Sequence, residues 1–191
     1  MLTVLVIDES RSRAGEICAG LALAGYQVAA ILAGSENLSA EVERLQPDVI
    51  LIDTDSPTRD TLENLAAMYK DMPRPVVIFT QEDGQSTIRD AVRAGVSAYV
   101  VDGLDPKRIK PIVEVARAQF DESQALRREL DDLSRKLSDR KLVDKAKGVL
   151  MKARGLDEDA AYHAMRKLAM ERGQTLAKVA RDVIDMARVL L

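Results

Sequence analysis

Acidic residues and one hydroxyl follow the apolar segments in the first half of the sequence. Asp8 and Glu9 come directly after a run of branched apolar residues, and Asp53 follows a second such run. A third run ends at Thr80. Carboxylate oxygens that are brought together bind a hard cation such as Mg²⁺. A carboxylate beside that cation can also accept a phosphoryl group as an acyl phosphate, because the metal neutralises the added charge.

The apolar runs have the length and composition of buried β-strands, and helical segments separate them. The predicted strands span residues 2–7, 26–32, 49–52, 76–79 and 98–101. This alternation indicates a parallel sheet that helices cover on both faces, and it predicts a flavodoxin-like doubly wound domain with strand order 2-1-3-4-5. The carboxyl ends of parallel strands meet at one edge, so we expect Asp8, Glu9, Asp53 and Asp102 to converge there.

The first 115 residues or so resemble a response regulator receiver domain. The segments that carry the resemblance are VLVIDES, DVILIDTDSP, VVIFT and GVSAYVVDG. The resemblance implies that Asp53 is the phospho-acceptor position and that Thr80 and Tyr99 are switch residues. It also implies that Asp8, Glu9 and Asp53 would hold Mg²⁺, and no other cofactor is expected.

One position departs from the receiver pattern. Receivers normally carry a lysine at the end of the fifth strand, where this chain has Asp102 followed by Gly103. The replacement removes a cation and adds an anion beside the phosphoryl site, which is unfavourable by Coulomb's law. Two interpretations remain open. Either Asp53 still accepts a phosphoryl group, or the domain is a pseudo-receiver that a protein partner switches.

The segment after the fifth strand is predicted to form one long helix. Asp105 and Pro106 have the form of a helix start, and Pro111 predicts a local kink or a later true start. No further helix breaker occurs before Gly148. Apolar residues at alternating steps of four and three predict a coiled-coil dimer through a leucine seam, which we define as Leu126, Leu130, Leu133 and Leu137. The alternative is that this stripe packs against another part of the same chain.

Residues 138–191 are basic and predict three short helices. They hold 12 Lys/Arg and 8 Asp/Glu, a net charge of +4, whereas residues 1–137 hold 16 and 23, a net charge of −7. Gly155 and Gly173 are placed to end helices, and Asp157 and Thr175 to cap them. The only histidine, His163, has no Cys or His at ligand spacing. We therefore expect neither a zinc site nor enzymatic activity.

The basic region contains the segments KLVDKAKGVLMK and MRKLAM. Through these segments the chain, from about residue 133 onward, resembles an ANTAR domain, the RNA-binding part of the AmiR and NasT antitermination regulators. DTDSPTRD, PRPVVIFT and SAYVVDG are most similar to the nitrate-responsive NasT branch, which also lacks the receiver lysine. The implied domains are a receiver (1–106), a coiled-coil dimerisation helix (107–137) and an ANTAR RNA-binding domain (138–191).

The resemblance implies transcription antitermination. A homodimer would bind two hairpins in a nascent leader RNA, and a nitrate-sensing protein partner would control it. The basic residues expected to contact RNA phosphates are Lys145, Lys147, Lys152, Arg154, Arg166, Lys167, Arg172 and Lys178. A single cysteine and the absence of a long apolar run favour a cytoplasmic protein. Two other functions remain open: a DNA-binding response regulator, and a coiled-coil adaptor that binds no nucleic acid.

Overall fold

The structure, a computed structural model, describes residues 1–8, 14–101, 105 and 107–190. The predictions that concern Glu9, Asp102 and Pro106 lie outside the described residues. The chain divides into two compact units, Met1–Gln124 and Ala125–Leu191. The first contains a sheet with helices, and the second is helical.

Strands and helices alternate in the first unit. The elements are β1 (Thr3–Asp8), α1 (Ala14–Leu23), β2 (Gln27–Leu32), α2 (Leu38–Leu45), β3 (Val49–Asp53), α3 (Arg59–Asp71), β4 (Val76–Thr80), α4 (Gln85–Arg93) and β5 (Ala98–Val101), followed by the start of α5 (Ile109–Arg154). All neighbouring strands are parallel, and their order is β2-β1-β3-β4-β5. The predicted flavodoxin-like fold and strand order are therefore confirmed.

The central strands are buried on both sides, which is why they appear in the sequence as continuous apolar runs. One face of the sheet packs against α2, α3 and α4 through residues such as Leu5, Ile52 and Ile78. The other face packs against α1 and α5 through residues such as Val6 and Phe79. Side chains alternate between the two faces because successive residues of a strand point in opposite directions.

The helix α5 begins later than the start that Asp105 and Pro106 indicate, which agrees with the alternative of a later true start. It starts at Ile109, so Pro111 lies in its first turn and not in its second. The first N–H groups of a helix have no intrahelical partner, so a proline there removes no helical hydrogen bond. Ile109, Val113 and Ala116 are fully buried against the sheet. The first turns of α5 therefore belong to the receiver core.

A hydrogen bond from Tyr26 also holds the start of α5 in the first unit. The same bond predicts that the Tyr26 phenol titrates at unusually high pH. The Tyr26 hydroxyl donates to Glu114 Oε1 at 2.9 Å. Burial, followed by this bond, raises the pKa of Tyr26 to about 12. A raised phenol pKa means that the stabilisation is complete below the unfolded pKa of about 10 and is lost as pH rises through 12. In a titration that follows tyrosinate absorbance, Tyr26→Phe should remove the step near pH 12; a step that persists in this variant would contradict the assignment.

The second unit contains the rest of α5 together with α6 (Glu158–Arg172) and α7 (Leu176–Leu190). The predicted caps form. Asp157 Oδ1 accepts from the Ala160 N–H at 2.7 Å, Thr175 Oγ1 accepts from the Lys178 N–H at 3.3 Å, and Gly173 has a φ of 60°. The core of this unit consists mainly of small and branched residues: Ala146, Met165, Ala169, Val179, Ala180 and Ile184. In the described part of the chain, no helix has both the length and the apolar surface that a membrane span requires.

Candidate functional site

Two carboxylates meet at the carboxyl edge of the sheet. Asp8 ends β1, Asp53 ends β3, and the two residues are partners in the parallel register. Both are buried, at 2% and 0% exposure. Among the residues that the structure describes, no group of three or more acidic, His or Cys side chains is arranged to hold a metal ion. The third predicted ligand, Glu9, lies outside those residues.

Thr80 and Tyr99 both bond to loops beside this edge. Thr80 Oγ1 donates to the Asp55 carbonyl at 2.9 Å and accepts from the Glu82 N–H at 3.1 Å. The Tyr99 hydroxyl donates to the Glu82 carbonyl at 2.9 Å. Burial raises the pKa of Tyr99, and its contact with the Thr80 hydroxyl opposes that effect. The two predicted switch residues are therefore linked through the backbone of Glu82, and no side-chain pattern in the sequence indicates this link.

The predicted RNA-contacting residues of the second unit fall into two groups. Within the described part of the chain, salt bridges neutralise three of them: Lys147, Lys178 with Asp182 at 2.8 Å, and Lys167 with Glu171 at 3.9 Å. The other five are exposed and make no salt bridge with any described residue: Lys145, Lys152, Arg154, Arg166 and Arg172. These five carry positive charge that an external anion can meet without first breaking an ion pair.

Lys147 has a structural role. Its Nζ lies 2.8 Å from Asp144 Oδ1 and 2.7 Å from Glu158 Oε1, and its side chain is only 16% exposed. Hydrogen bonds to these two carboxylates raise the pKa of Lys147, and the bond from Lys147 lowers the pKa of Asp144. Lys147 therefore joins α5 to the first turn of α6.

A basic stripe, which we define as Lys141, Lys145, Gly148 and Lys152, runs along α5 in steps of four, three and four. This spacing places all four residues on one face of the helix. The three lysines are exposed, while Ala146 is fully buried in the core of the unit. Sequence reasoning missed Lys141, although its helical spacing from Lys145 and Lys152 could have indicated it.

Gly148 differs from the other helix-associated glycines of this unit. Gly155 and Gly173 have positive φ angles, which favour glycine, whereas Gly148 does not. A Cβ added at Gly148 would meet no atom within 4 Å. A glycine inside a helix destabilises it by about 1 kcal/mol relative to alanine. Neither backbone conformation nor crowding within the described chain accounts for this residue.

The leucine seam is exposed in the single chain. Leu126, Leu130, Leu133 and Leu137 are between 55% and 67% exposed. No described part of the same chain covers them, which disfavours the alternative that the stripe packs intramolecularly. Four aligned leucines in water form an apolar strip of the kind that marks an association surface.

Comparison with known proteins agrees with the geometry of the first unit. The chain matches the response regulator receiver domain family over residues 4–114. The signal receiver domain of a modulated diguanylate cyclase from Desulfovibrio desulfuricans G20 superposes with a TM-score of 0.56 at 20% identity, covering 64% of this chain and 98% of that chain. An identity this low supports the fold alone. The class is therefore that of receiver-containing response regulators.

The second unit adds the output domain. Residues 131–184 match the ANTAR domain family. Transcriptional regulatory protein PdtaR of Mycobacterium tuberculosis is 29% identical over 161 residues, which cover 84% of this chain and 78% of that protein. Nitrate regulatory protein of Klebsiella oxytoca is 39% identical over 85 residues, 44% of this chain and 22% of that protein. This chain belongs to the response regulators that carry a receiver domain followed by an ANTAR domain, a class that is regulatory rather than catalytic.

Proposed function

We propose that this protein is a transcription antiterminator that binds two hairpins in a nascent leader RNA. The observation that carries the proposal is the set of exposed basic residues on the ANTAR domain that make no salt bridge with any described residue. RNA hairpins present phosphates and unstacked loop bases, and lysine and arginine bind the phosphates. By stabilising the hairpins, the protein would prevent the overlapping terminator from forming.

The proposed active form is a homodimer that pairs through the leucine seam. Burial of one leucine side chain contributes about 1.5–3 kcal/mol, and each chain offers four. The charged residues that flank the seam, such as Arg127, Glu129 and Lys136, suit the edge positions of a coiled coil. Two ANTAR domains in one dimer match two hairpins in one leader.

We propose that a protein partner, and not a phosphoryl group, controls the regulator. Asp102 stands where receivers normally have the lysine that pairs with the phosphoryl group. Asp8 and Asp53, buried side by side, fit a hard cation by donor type and would hold Mg²⁺. Such an ion would neutralise charge at Asp53, but it would not replace the missing lysine.

Control by a protein partner predicts that small phosphodonors phosphorylate this protein only weakly. Incubation with a small phosphodonor and Mg²⁺ should give no stoichiometric phosphoryl adduct by intact mass. Asp102→Lys restores a cation and should increase the fraction that carries the adduct, because the lysine offsets phosphoryl charge. The matched control is Asp102→Lys combined with Asp53→Ala, which should again give none. A stoichiometric adduct on the unaltered protein that disappears in Asp53→Ala would contradict this form of control.

We propose nitrate or nitrite assimilation genes as the target and a nitrate-sensing protein as the partner. The support is the similarity to the nitrate regulatory protein of Klebsiella oxytoca and the DTDSPTRD, PRPVVIFT and SAYVVDG segments. PdtaR is similar over more of the chain, but its name does not refer to nitrate. The probe for this proposal is the two-hairpin leader RNA, which we define as the transcript of the untranslated leader of such an operon in the source genome.

A gel shift separates this function from its alternatives. The full-length protein is titrated against the two-hairpin leader RNA and against duplex DNA of the same sequence. The proposal predicts tighter binding to the RNA, with an affinity that falls with salt by a log–log slope of about −0.7 per phosphate neutralised. Tighter binding to the duplex would favour a DNA-binding regulator. No binding to either probe would favour an adaptor.

A further inference from the structure

Gly148 is the residue of the ANTAR domain whose presence the fold does not explain. It lies in the interior of α5, where alanine would favour the folded form by about fivefold. Its φ is not positive, and a Cβ would meet open space. A residue that disfavours its local secondary structure, and that no contact in the folded chain requires, is expected to be functional. The space that a side chain at Gly148 would occupy contains no atom of the described chain, so a bound molecule can enter it.

The surroundings of Gly148 are positively charged. Lys141, Lys145 and Lys152 lie on the same face at seven and three residues before it and four residues after it. All three are exposed, and none makes a salt bridge with a described residue. The buried side of the helix, around Ala146, faces the core of the domain. The gap left by Gly148 is therefore bordered by three cations that no described residue neutralises, while the nearby carboxylate of Asp144 is paired with Lys147 at 2.8 Å.

Two kinds of partner would fit the gap at Gly148: a polyanion and a second copy of α5. The leucine seam ends at Leu137, and its continuation in alternating steps of three and four places Arg140 and Asp144 on the helix surface instead of apolar residues. A symmetric pair of helices in contact at Gly148 would bring the lysines of both copies together, which like charges oppose. A phosphate backbone is attracted by the same lysines. The charge pattern therefore favours a polyanion.

We propose that Gly148 is the point at which the sugar-phosphate backbone of the bound RNA comes closest to the protein, with Lys141, Lys145 and Lys152 on its phosphates. This rests on the proposed function and extends it by assigning a contact that needs the absence of a side chain. A methyl group at this position would hold the RNA away from the helix and lengthen the three lysine contacts. Larger side chains would do so more.

The test uses full-length Gly148→Ala and Gly148→Leu with the two-hairpin leader RNA. We expect the Kd to rise about tenfold for alanine and further for leucine, while the melting temperature of the alanine variant stays the same or rises. The matched control is Ala118→Leu, which introduces the same leucine side chain at an exposed position of the same helix in the first unit and should leave the Kd unchanged. Sedimentation should give the same mass for all variants as for the unaltered protein.

Each result decides the proposal. An unchanged Kd in both Gly148 variants, with the unaltered protein binding RNA, would overturn the assignment of Gly148 and leave the RNA-binding function standing. A change of mass in Gly148→Leu would also overturn it, in favour of a contact between two copies of α5. Failure of the unaltered protein to bind the RNA would overturn the proposed function and this contact with it.

Discussion

Replacement of Leu130 by glutamate should convert the protein from a dimer to a monomer at micromolar concentration. Leu130 lies inside the leucine seam and is 67% exposed in the single chain. The change removes one buried leucine from each chain, about 3–6 kcal/mol per dimer, which corresponds to roughly 100- to 10,000-fold in the dissociation constant. It also places two like charges in an apolar contact. Sedimentation equilibrium gives the mass directly.

The matched control for this change is Arg128→Glu. Arg128 lies on the same helix two residues before Leu130, on the side opposite the seam, and it is exposed. This variant should remain a dimer. If the unaltered protein already sediments as a monomer, or if Leu130→Glu leaves the dimer intact, the seam is not the association surface. Because each dimer is proposed to bind two hairpins, the monomeric variant should also lose affinity for the two-hairpin leader RNA.

Reversal of two charges on the basic stripe should nearly abolish RNA binding. Lys145→Glu combined with Lys152→Glu removes two cations from one face of α5, neither of which makes a salt bridge with a described residue. A hydrogen bond to a charged group contributes about 1.5 kcal/mol, roughly tenfold in affinity, so we expect a loss of about 100-fold or more. The salt dependence should weaken as well, by about 0.7 in the log–log slope for each lost phosphate contact. Fluorescence anisotropy at several salt concentrations measures both quantities.

The control for this change alters the net charge of the chain by the same amount. Lys70→Glu combined with Lys110→Glu reverses two exposed lysines of the first unit. This variant should retain most of its RNA affinity, because these two lysines lie outside the proposed RNA contact and act on RNA only through the net charge of the protein. Equal losses in the two double variants would indicate non-specific attraction in place of a defined RNA contact. A second comparison is Lys147→Met. This variant should lower the melting temperature of the ANTAR domain and have a smaller effect on the affinity for RNA, because Lys147 joins α5 to α6 through Asp144 and Glu158.

The sequence was sufficient to predict the fold because its local signals agree with one another. Short continuous runs of branched apolar residues favour strands buried on both faces, and the acids and hydroxyl that follow them mark the carboxyl edge. The caps at Asp157 and Thr175 were predictable for the same reason, since a side-chain oxygen at that position satisfies free helix N–H groups. The helix start at Ile109 was not, because a proline in the first turn and a proline at a kink look alike in a sequence.

The candidate sites were less predictable because they depend on contacts between distant residues. The bonds that connect Thr80 and Tyr99 run through the backbone of Glu82, and backbone atoms have no sequence pattern. The neutralisation of Lys147 depends on Glu158, which belongs to the next helix. Gly148 could be read in the sequence as part of a family motif, but only the empty space around its Cα indicates what the glycine permits.

The central claim, antitermination through RNA, is tested most directly by transcription with purified components. RNA polymerase transcribes a template that carries the leader with its two hairpins and its terminator, and the fraction of full-length transcript is measured with and without the protein. The proposal predicts that the unaltered protein increases readthrough and that Leu130→Glu and Lys145→Glu/Lys152→Glu do not. Readthrough that stays at the level without protein, at concentrations that saturate the leader RNA in the gel shift, would contradict it.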